Sequence, residues 1–175
     1  DKPVEDLRIV LLSDLHLHEY GEDNADLVRK IQNLAPDLIA VAGDMNIDTD
    51  TDYHVVLDLM HQLVDIAPVY YAPGNHEWGG RYAGGSDALF DDIQATGVHW
   101  LNGSYEDCLL YTSDGGQVRI GSQGLWSTSQ GFLPKYTSGV NQMGESQVVI
   151  SRGLGDSEPF PRIFNQPELV VVDVN

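Results

Sequence analysis

The chain has 175 residues and a mass of 19.3 kDa, enough for one domain with a hydrophobic core of its own. Its 27 acidic residues against 9 basic ones give a formal net charge of -18, which argues against sequence-general nucleic-acid binding. The single cysteine, Cys108, excludes an internal disulfide and a thiolate metal cluster. No apolar run approaches the roughly 18 residues of a transmembrane segment.

The first hundred residues alternate between short apolar runs and amphipathic segments. The apolar runs are rich in branched residues and too short for buried helices, which is typical of strands in a parallel sheet. We predict these strands at residues 7–12, 38–42, 69–72 and 98–101. Between them, apolar residues recur at helical spacing in residues 24–34, 55–64 and 86–95. The alternation predicts an α/β fold whose parallel strands are joined by crossover helices.

After residue 101 the pattern changes to short strands separated by glycine-rich turns. We predict these strands at residues 107–111, 117–120, 147–151 and 168–174. No internal repeat and no linker-like stretch divides the chain. We therefore predict a single domain over residues 1–175.

Three successive predicted strands each end in a cluster of polar residues. The clusters are Ser13-Asp14-Leu15-His16, Gly43-Asp44 and Gly74-Asn75-His76. Ligands bind at the carboxyl ends of the strands in a parallel sheet, so these clusters should meet in one site. Each motif taken alone has a simpler interpretation as a turn or a helix cap. Their order and their shared placement favour a functional site.

Metal binding is the chemistry that these side chains favour. Asp14 and His16 lie two residues apart, so in an extended segment both would project to the same side and reach one cation. A glycine before Asp44 permits a sharp turn, which would place the carboxylate between two cations. Asn75 offers an amide oxygen to the second cation. His76, one residue later, should face elsewhere and suits contact with a substrate.

In this order the motifs resemble the opening blocks of the calcineurin-like phosphoesterase (metallophosphoesterase) family. The matching residues are Asp14-x-His16, Gly43-Asp44 and Gly74-Asn75-His76-Glu77. The resemblance covers residues 7–77 and implies that family's α/β/β/α sandwich. It also implies a metal-dependent hydrolase of phosphate esters, with a dinuclear metal centre and a bridging hydroxide as the nucleophile.

The resemblance implies a role for each matching residue. Asp14 and His16 would bind the first metal, Asp44 would bridge both metals and hold the nucleophile, and Asn75 would bind the second. His76 would lie near the scissile phosphate as an acid or an electrostatic stabiliser. Mixed imidazole and carboxylate ligation suits manganese, iron, zinc or nickel alike, so the identity of the two divalent ions stays open.

The second half of the chain resembles one branch of the same family, the bacterial YkuE/YaeI-type phosphodiesterases. The matching stretches are 115–120, 130–136, 151–155 and 161–169. This similarity favours a phosphodiester over a monoester and contributes no metal ligand that we can identify. It implies a small-molecule or lipid-linked phosphate ester as substrate, and a location in the bacterial cytoplasm or the cell envelope, exported or peripheral to a membrane. The oligomeric state stays open.

The family completes its metal site with later histidines that this chain does not contain. The last histidine is His99, and Asp114 precedes Gly115-Gly116-Gln117 where the family has a Gly-His-x-His block. Residues 113–116 have an equally good interpretation as a hairpin turn. Either a segment after about residue 110 is missing from this sequence, or the protein is a naturally shortened relative. In the second case it could be a catalytically impaired binding module.

The remaining histidines and the cysteine have ordinary structural interpretations. His18 follows the predicted ligand pair, where an exposed turn residue is more usual than one that lines the entrance of the site. His54 and His61 lie seven residues apart on one predicted helix, where surface and packing roles are usual. His99 and Cys108 should be strand residues.

Overall fold

The computed structural model describes residues 6–47, 52–82, 88–101, 110–112, 118–120, 123–127, 131–133, 138–144, 146–155, 162 and 164–174. The helices within them are α1 (Ala25–Leu34), α2 (His54–Val64), α3 (Asn75–Tyr82) and α4 (Ala88–Ala95). The strands of the first hundred residues are β1 (Leu7–Leu12), β2 (Leu38–Val41), β3 (Val69–Tyr71) and β4 (His99–Trp100). The later strands are β5 (Leu110–Thr112), β6 (Val118–Ile120), β7 (Gln123–Ser127), β8 (Gly131–Phe132), β9 (Gly139–Met143), β10 (Ser146–Ser151) and β11 (Val170–Val174).

A five-stranded sheet with the order β11-β1-β2-β3-β4 forms the centre of the fold. Strands β1 to β4 are parallel, and β11 closes one edge antiparallel to β1. Parallel neighbours that follow one another in sequence require crossover connections, which α1, α2 and α4 provide in the part of the chain described. The predicted α/β fold is therefore confirmed.

The core lies between the central sheet and the apolar faces of α1 and α2. On α2, Val56, Leu59, Met60 and Leu63 are fully buried, as their helical spacing predicts. Ile31 is the fully buried residue of α1. Burial of this apolar area holds the helices on the sheet.

Six described strands of the second half form two small three-stranded sheets, with the orders β5-β10-β9 and β6-β7-β8. The sequence did not predict β7, β8 or β9, because their residues lack a clear alternation of polar and apolar side chains. Helix α3 was also missed, because the Gly74-Asn75-His76 cluster was interpreted only as a strand end. Residues 107–109, which the predicted fifth strand included, lie outside the described part of the chain, as does Cys108.

Candidate functional site

The three polar clusters follow strand ends that lie side by side. Leu12 is paired with Val41, and Val41 is paired with Tyr71, so β1, β2 and β3 end in one row across the sheet. The loops that leave this row start within a few ångströms of one another. The prediction that the clusters share one edge of the sheet therefore agrees with the structure.

Backbone hydrogen bonds extend this row beyond the strands and join the first loop to the second. The N–H of Asp14 donates to the carbonyl of Gly43 at 3.0 Å, and the N–H of His16 donates to the carbonyl of Asp44 at 3.2 Å. The N–H of Leu17 continues the ladder to the carbonyl of Met45 at 3.0 Å. Asp14 and His16 thus lie alongside Asp44.

The third loop meets the second through the Asp44 side chain. Its Oδ1 accepts the backbone N–H of His76 at 2.8 Å, close to the N-terminus of α3. A carboxylate at this position is favourable because it accepts a helix N–H and faces the positive end of the helix dipole. Asp44 therefore contacts both neighbouring loops, one through its backbone carbonyl and one through its carboxylate.

Two glycines allow the second and third loops to come this close. A Cβ on Gly43 would lie 2.1 Å from the nitrogen of Gly74, and a Cβ on Gly74 would lie 2.3 Å from Oδ1 of Asp44. Gly43 also has a φ of 74°, a conformation that side chains disfavour. The expectation of a sharp turn before Asp44 is therefore matched by the backbone.

The expectation of an extended segment at Asp14 and His16 was wrong. Their φ values are 51° and 50°, and Asp44 has a φ of 53°, so all three residues adopt the left-handed conformation. The three side chains are nonetheless buried, with exposures of 3%, 7% and 6%. Strained backbone with buried polar side chains is a common property of functional sites.

The two histidines of the predicted site lie in contact. The rings of His16 and His76 are 4.8 Å apart in an edge-to-face arrangement, and Nδ1 of His16 lies 3.4 Å from the carbonyl oxygen of Asn46. His76 is therefore beside the ligand assigned to the first metal and does not point away from the cluster, as its position after Asn75 had suggested. Asn75, the first residue of α3, is exposed.

Glu77 is a site residue for which the sequence analysis proposed no role. It is 1% exposed, and its Oε2 accepts the N–H groups of Asp44 at 2.9 Å and Gly74 at 2.7 Å. Its Oε1 accepts the N–H of Met45 at 2.8 Å and the hydroxyl of Tyr71 at 2.9 Å. Burial raises the pKa of Tyr71 well above its ordinary value, and the nearby Glu77 adds to this rise.

A fourth segment, residues 152–155 after β10, packs against the Asp14 loop. The N–H of Leu154 donates to the carbonyl of Ser13 at 2.9 Å, and that of Gly155 donates to the carbonyl of Asp14 at 2.5 Å. A Cβ on Gly153 would lie 2.6 Å from the Cβ of Asp14. Residues 151–155, which the sequence linked to the family only by resemblance, therefore support the backbone of Asp14, a predicted metal ligand.

Arg162 holds that fourth segment in place. Its guanidinium donates to the carbonyls of Arg152 at 2.8 Å and Gly153 at 3.3 Å, and also to the carbonyl of Gly155. Because the planar guanidinium presents its donors in a fixed geometry, its hydrogen bonds to these carbonyls fix the backbone of residues 152–155.

The other four histidines lie at the surface. His18, His54, His61 and His99 are all exposed. His18 contacts Tyr20 edge-to-face, and His99 stacks on Tyr70. Asp52 binds Nδ1 of His54 at 2.6 Å, which raises the pKa of His54 and lowers that of Asp52. These contacts agree with the structural roles that the sequence suggested.

The side chains fit one part of a metal site. Carboxylates, an imidazole and an amide oxygen are suitable ligands for several divalent ions, and burial of the two carboxylates is costly without compensating partners. Among the residues described, however, no three His, Cys, Asp or Glu side chains form a cluster that would enclose an ion. The loops are brought together, and a closed ligand shell is not formed.

Comparison with known proteins assigns the chain to a protein family. The family model for calcineurin-like phosphoesterases matches residues 7–153, which include all three clusters and the first two residues of the segment after β10. The family consists of metal-dependent hydrolases of phosphate esters. The chain belongs to the calcineurin-like phosphoesterase family, and the resemblance inferred from the motifs is confirmed.

Individual relatives agree with this assignment. The chain is 26% identical to the uncharacterized metallophosphoesterase YkuE of Bacillus subtilis, in a match that covers 94% of this chain and 77% of the relative. It is 32% identical to an uncharacterized metallophosphoesterase of Campylobacter jejuni and 38% identical to a putative metallophosphoesterase of Caenorhabditis elegans. Those two matches cover 42% and 40% of this chain.

The lengths of these matches differ from that of the chain. The matches cover only 20% of the Campylobacter protein and 15% of the Caenorhabditis protein. The match with YkuE extends over 222 positions, more than the 175 residues of this chain, so YkuE has additional residues inside the matched region.

Among the helices described here, none has the length and apolar character to cross a bilayer.

Proposed function

We propose that the chain hydrolyses phosphodiesters at the edge of the central sheet where β1, β2 and β3 end. Asp14, His16, Asp44 and Asn75 would hold two divalent cations, and manganese is the first ion to test. The observation that carries the proposal is the position of Asp44. Its backbone carbonyl binds the first loop, and its carboxylate binds the third.

The cations would supply positive charge, which acidifies the attacking water and offsets the charge of the phosphate. The residues of the chain provide placement. Asp44 is fixed at both backbone and side chain, so its carboxylate stays aligned with the other loops. His76 lies over His16 and is half-buried, a position from which it can contact the phosphate or the leaving oxygen.

An open cleft beside the site would accommodate an organic group of the ester. It has a volume of about 530 Å³ and is lined by Pro73, Gly74, Asn75, Trp78 and Gly79. The Trp78 ring packs edge-to-face on Phe90, with centroids 4.9 Å apart, which fixes its orientation. A flat or apolar substituent next to the phosphate would pack on this ring. A small-molecule or lipid-linked diester would meet that description.

We propose that a segment absent from this sequence completes the ligand shell. The extra residues of YkuE within the matched region support this proposal, as does the lack of any histidine after His99. The hydrogen bonds from residues 152–155 to the Asp14 loop also support it, because they bring later residues of the chain next to a proposed ligand.

The test is manganese-dependent hydrolysis of bis(p-nitrophenyl) phosphate, compared with p-nitrophenyl phosphate. We expect the diester to be the better substrate and Asp44→Asn to lower its turnover on the order of 100-fold or more, because even partners of ligands can contribute that much. Asp58→Asn, on the exposed face of α2, is the matched control and should retain activity. Unchanged turnover in Asp44→Asn would remove Asp44 from the mechanism.

The second candidate is a phosphoesterase-like binding module. It is favoured by the incomplete ligand cluster among the described residues and by the absence of later histidines. A protein that binds manganese but hydrolyses neither ester would support this candidate. Activity that depends on manganese and on Asp44 would exclude it.

A further inference from the structure

We propose that Glu77 is a positioning residue of the cation site, which sets the place of Asp44 through the backbone without binding the cations itself. The inference rests on the function proposed above and deepens it. The Glu77 carboxylate accepts hydrogen bonds from four groups in three parts of the chain. The donors are Tyr71 on β3, Asp44 and Met45 on the second loop, and Gly74 on the third loop.

Three of the four partners are backbone N–H groups, which can only donate hydrogen bonds. Both oxygens of Glu77 are therefore needed as acceptors, which an ionised carboxylate provides and an amide does not. At 1% exposure, no bulk water can replace a lost acceptor. The site thus requires a carboxylate at this position, and a group of the same shape is not sufficient.

The hydrogen bonds of Glu77 and Asp44 form a closed ring of contacts. Glu77 binds the N–H of Asp44, the carboxylate of Asp44 binds the N–H of His76, and His76 is the residue before Glu77. Moving any one member displaces the others. Glu77 also binds the N–H of Gly74 three residues earlier, as the glutamate of a capping box does, so the start of α3 is held in the same way.

We expect the replacement of Glu77 by glutamine to leave a buried hydrogen-bond donor unsatisfied. The amide NH₂ can face Tyr71, whose hydroxyl can accept a hydrogen bond, but it then also faces the N–H of Met45. In the other orientation it faces two N–H groups, those of Asp44 and Gly74. Either orientation leaves a buried donor without an acceptor, so the second loop must shift.

The experiment is a titration with Mn²⁺, followed by the electron paramagnetic resonance signal of the free ion. We expect Glu77→Gln to weaken Mn²⁺ binding about 10- to 100-fold, as for other residues that orient ligands. Excess Mn²⁺ should restore part of the hydrolysis, which a defect in the chemistry itself would not allow. Glu22→Gln, at an exposed position, is the matched control and should bind as the wild type does.

Tyr71→Phe provides a second variant in case Glu77→Gln does not fold. It removes one of the four donors and leaves the carboxylate, so Mn²⁺ binding should weaken about two- to fivefold. Wild-type affinity in a folded Glu77→Gln, or in Tyr71→Phe if the first variant is unfolded, would overturn the role of Glu77. If the wild type itself binds no Mn²⁺, the proposed function fails, which is a different result.

Discussion

Glycine and acidic residues determine the local geometry of the site. Gly74 leaves room for the Asp44 carboxylate, which a Cβ would approach to 2.3 Å, and Gly155 brings its N–H to the carbonyl of Asp14. The sequence placed Gly74 in a recognisable motif but did not indicate this first contact. It could not indicate the second, because the contact of Gly155 with Asp14 joins residues 141 positions apart.

Glu77 could have been found from the sequence. A glutamate three residues after a glycine that ends a strand matches the spacing of a capping box, a signal for the start of a helix. Recognising it would have predicted α3 at the same time. Its bonds to Asp44 and Met45 depend on the neighbouring loop, and only the folded chain shows them.

The raised pKa of Tyr71 leads us to expect a loss of stability at alkaline pH. Its folded-state pKa is raised, so the stability that its neutral hydroxyl contributes is complete below the ordinary tyrosine pKa of about 10 and is lost as pH rises above it. The free energy of unfolding should fall above about pH 10, by up to about 1.4 kcal/mol per pH unit for this one proton. Urea titrations at pH 9 to 11 measure this slope.

Tyr71→Phe is the control for that slope. It should be less stable than the wild type at neutral pH, because the hydrogen bond to Glu77 is lost. Its stability should then fall less steeply above pH 10. Equal slopes in the two proteins would show that Tyr71 does not cause the alkaline loss.

Among the elements, those with strong periodicity were predicted well. β1 has the predicted bounds, and α1, α2, β2 and β3 begin or end within one residue of them. Their apolar residues are determined by burial on a single sheet, which gives the sequence a regular pattern. In the second half, β5, β6, β10 and β11 overlap predicted strands, whereas the residues of β7, β8 and β9 have no comparable pattern.

Helix α2 provides a test of the core at this scale. Leu59 is fully buried, so Leu59→Ala should lower the free energy of unfolding by about 2–5 kcal/mol through lost burial and a cavity. Asp58→Ala, one residue earlier and exposed, should change it by about 0.5 kcal/mol or less. Urea unfolding monitored by circular dichroism compares them. Similar stability of the two variants would contradict the position of α2 on the sheet.

At the scale of the whole molecule, family and fold class followed from the sequence, and the ligand shell did not. The order of three short motifs at strand ends was sufficient for the family, because the topology of a parallel sheet brings such ends together. The proposed completion of the shell would need ligands that follow β4 in the chain, and no histidine follows His99. The net charge of -18 is also a property of the whole surface, and it disfavours polyanionic substrates.

The proposed function requires that Asp14, Asp44 and Asn75 act on one shared cation pocket. Mn²⁺ binding, measured by equilibrium titration of the wild type, should weaken when each is replaced in turn by Ala, and should persist in Asp58→Ala. We expect the three losses in binding free energy not to be additive when the replacements are combined, because residues that hold the same ions are coupled. Wild-type Mn²⁺ affinity in Asp44→Ala, or fully additive losses in the combined variant, would contradict a shared pocket.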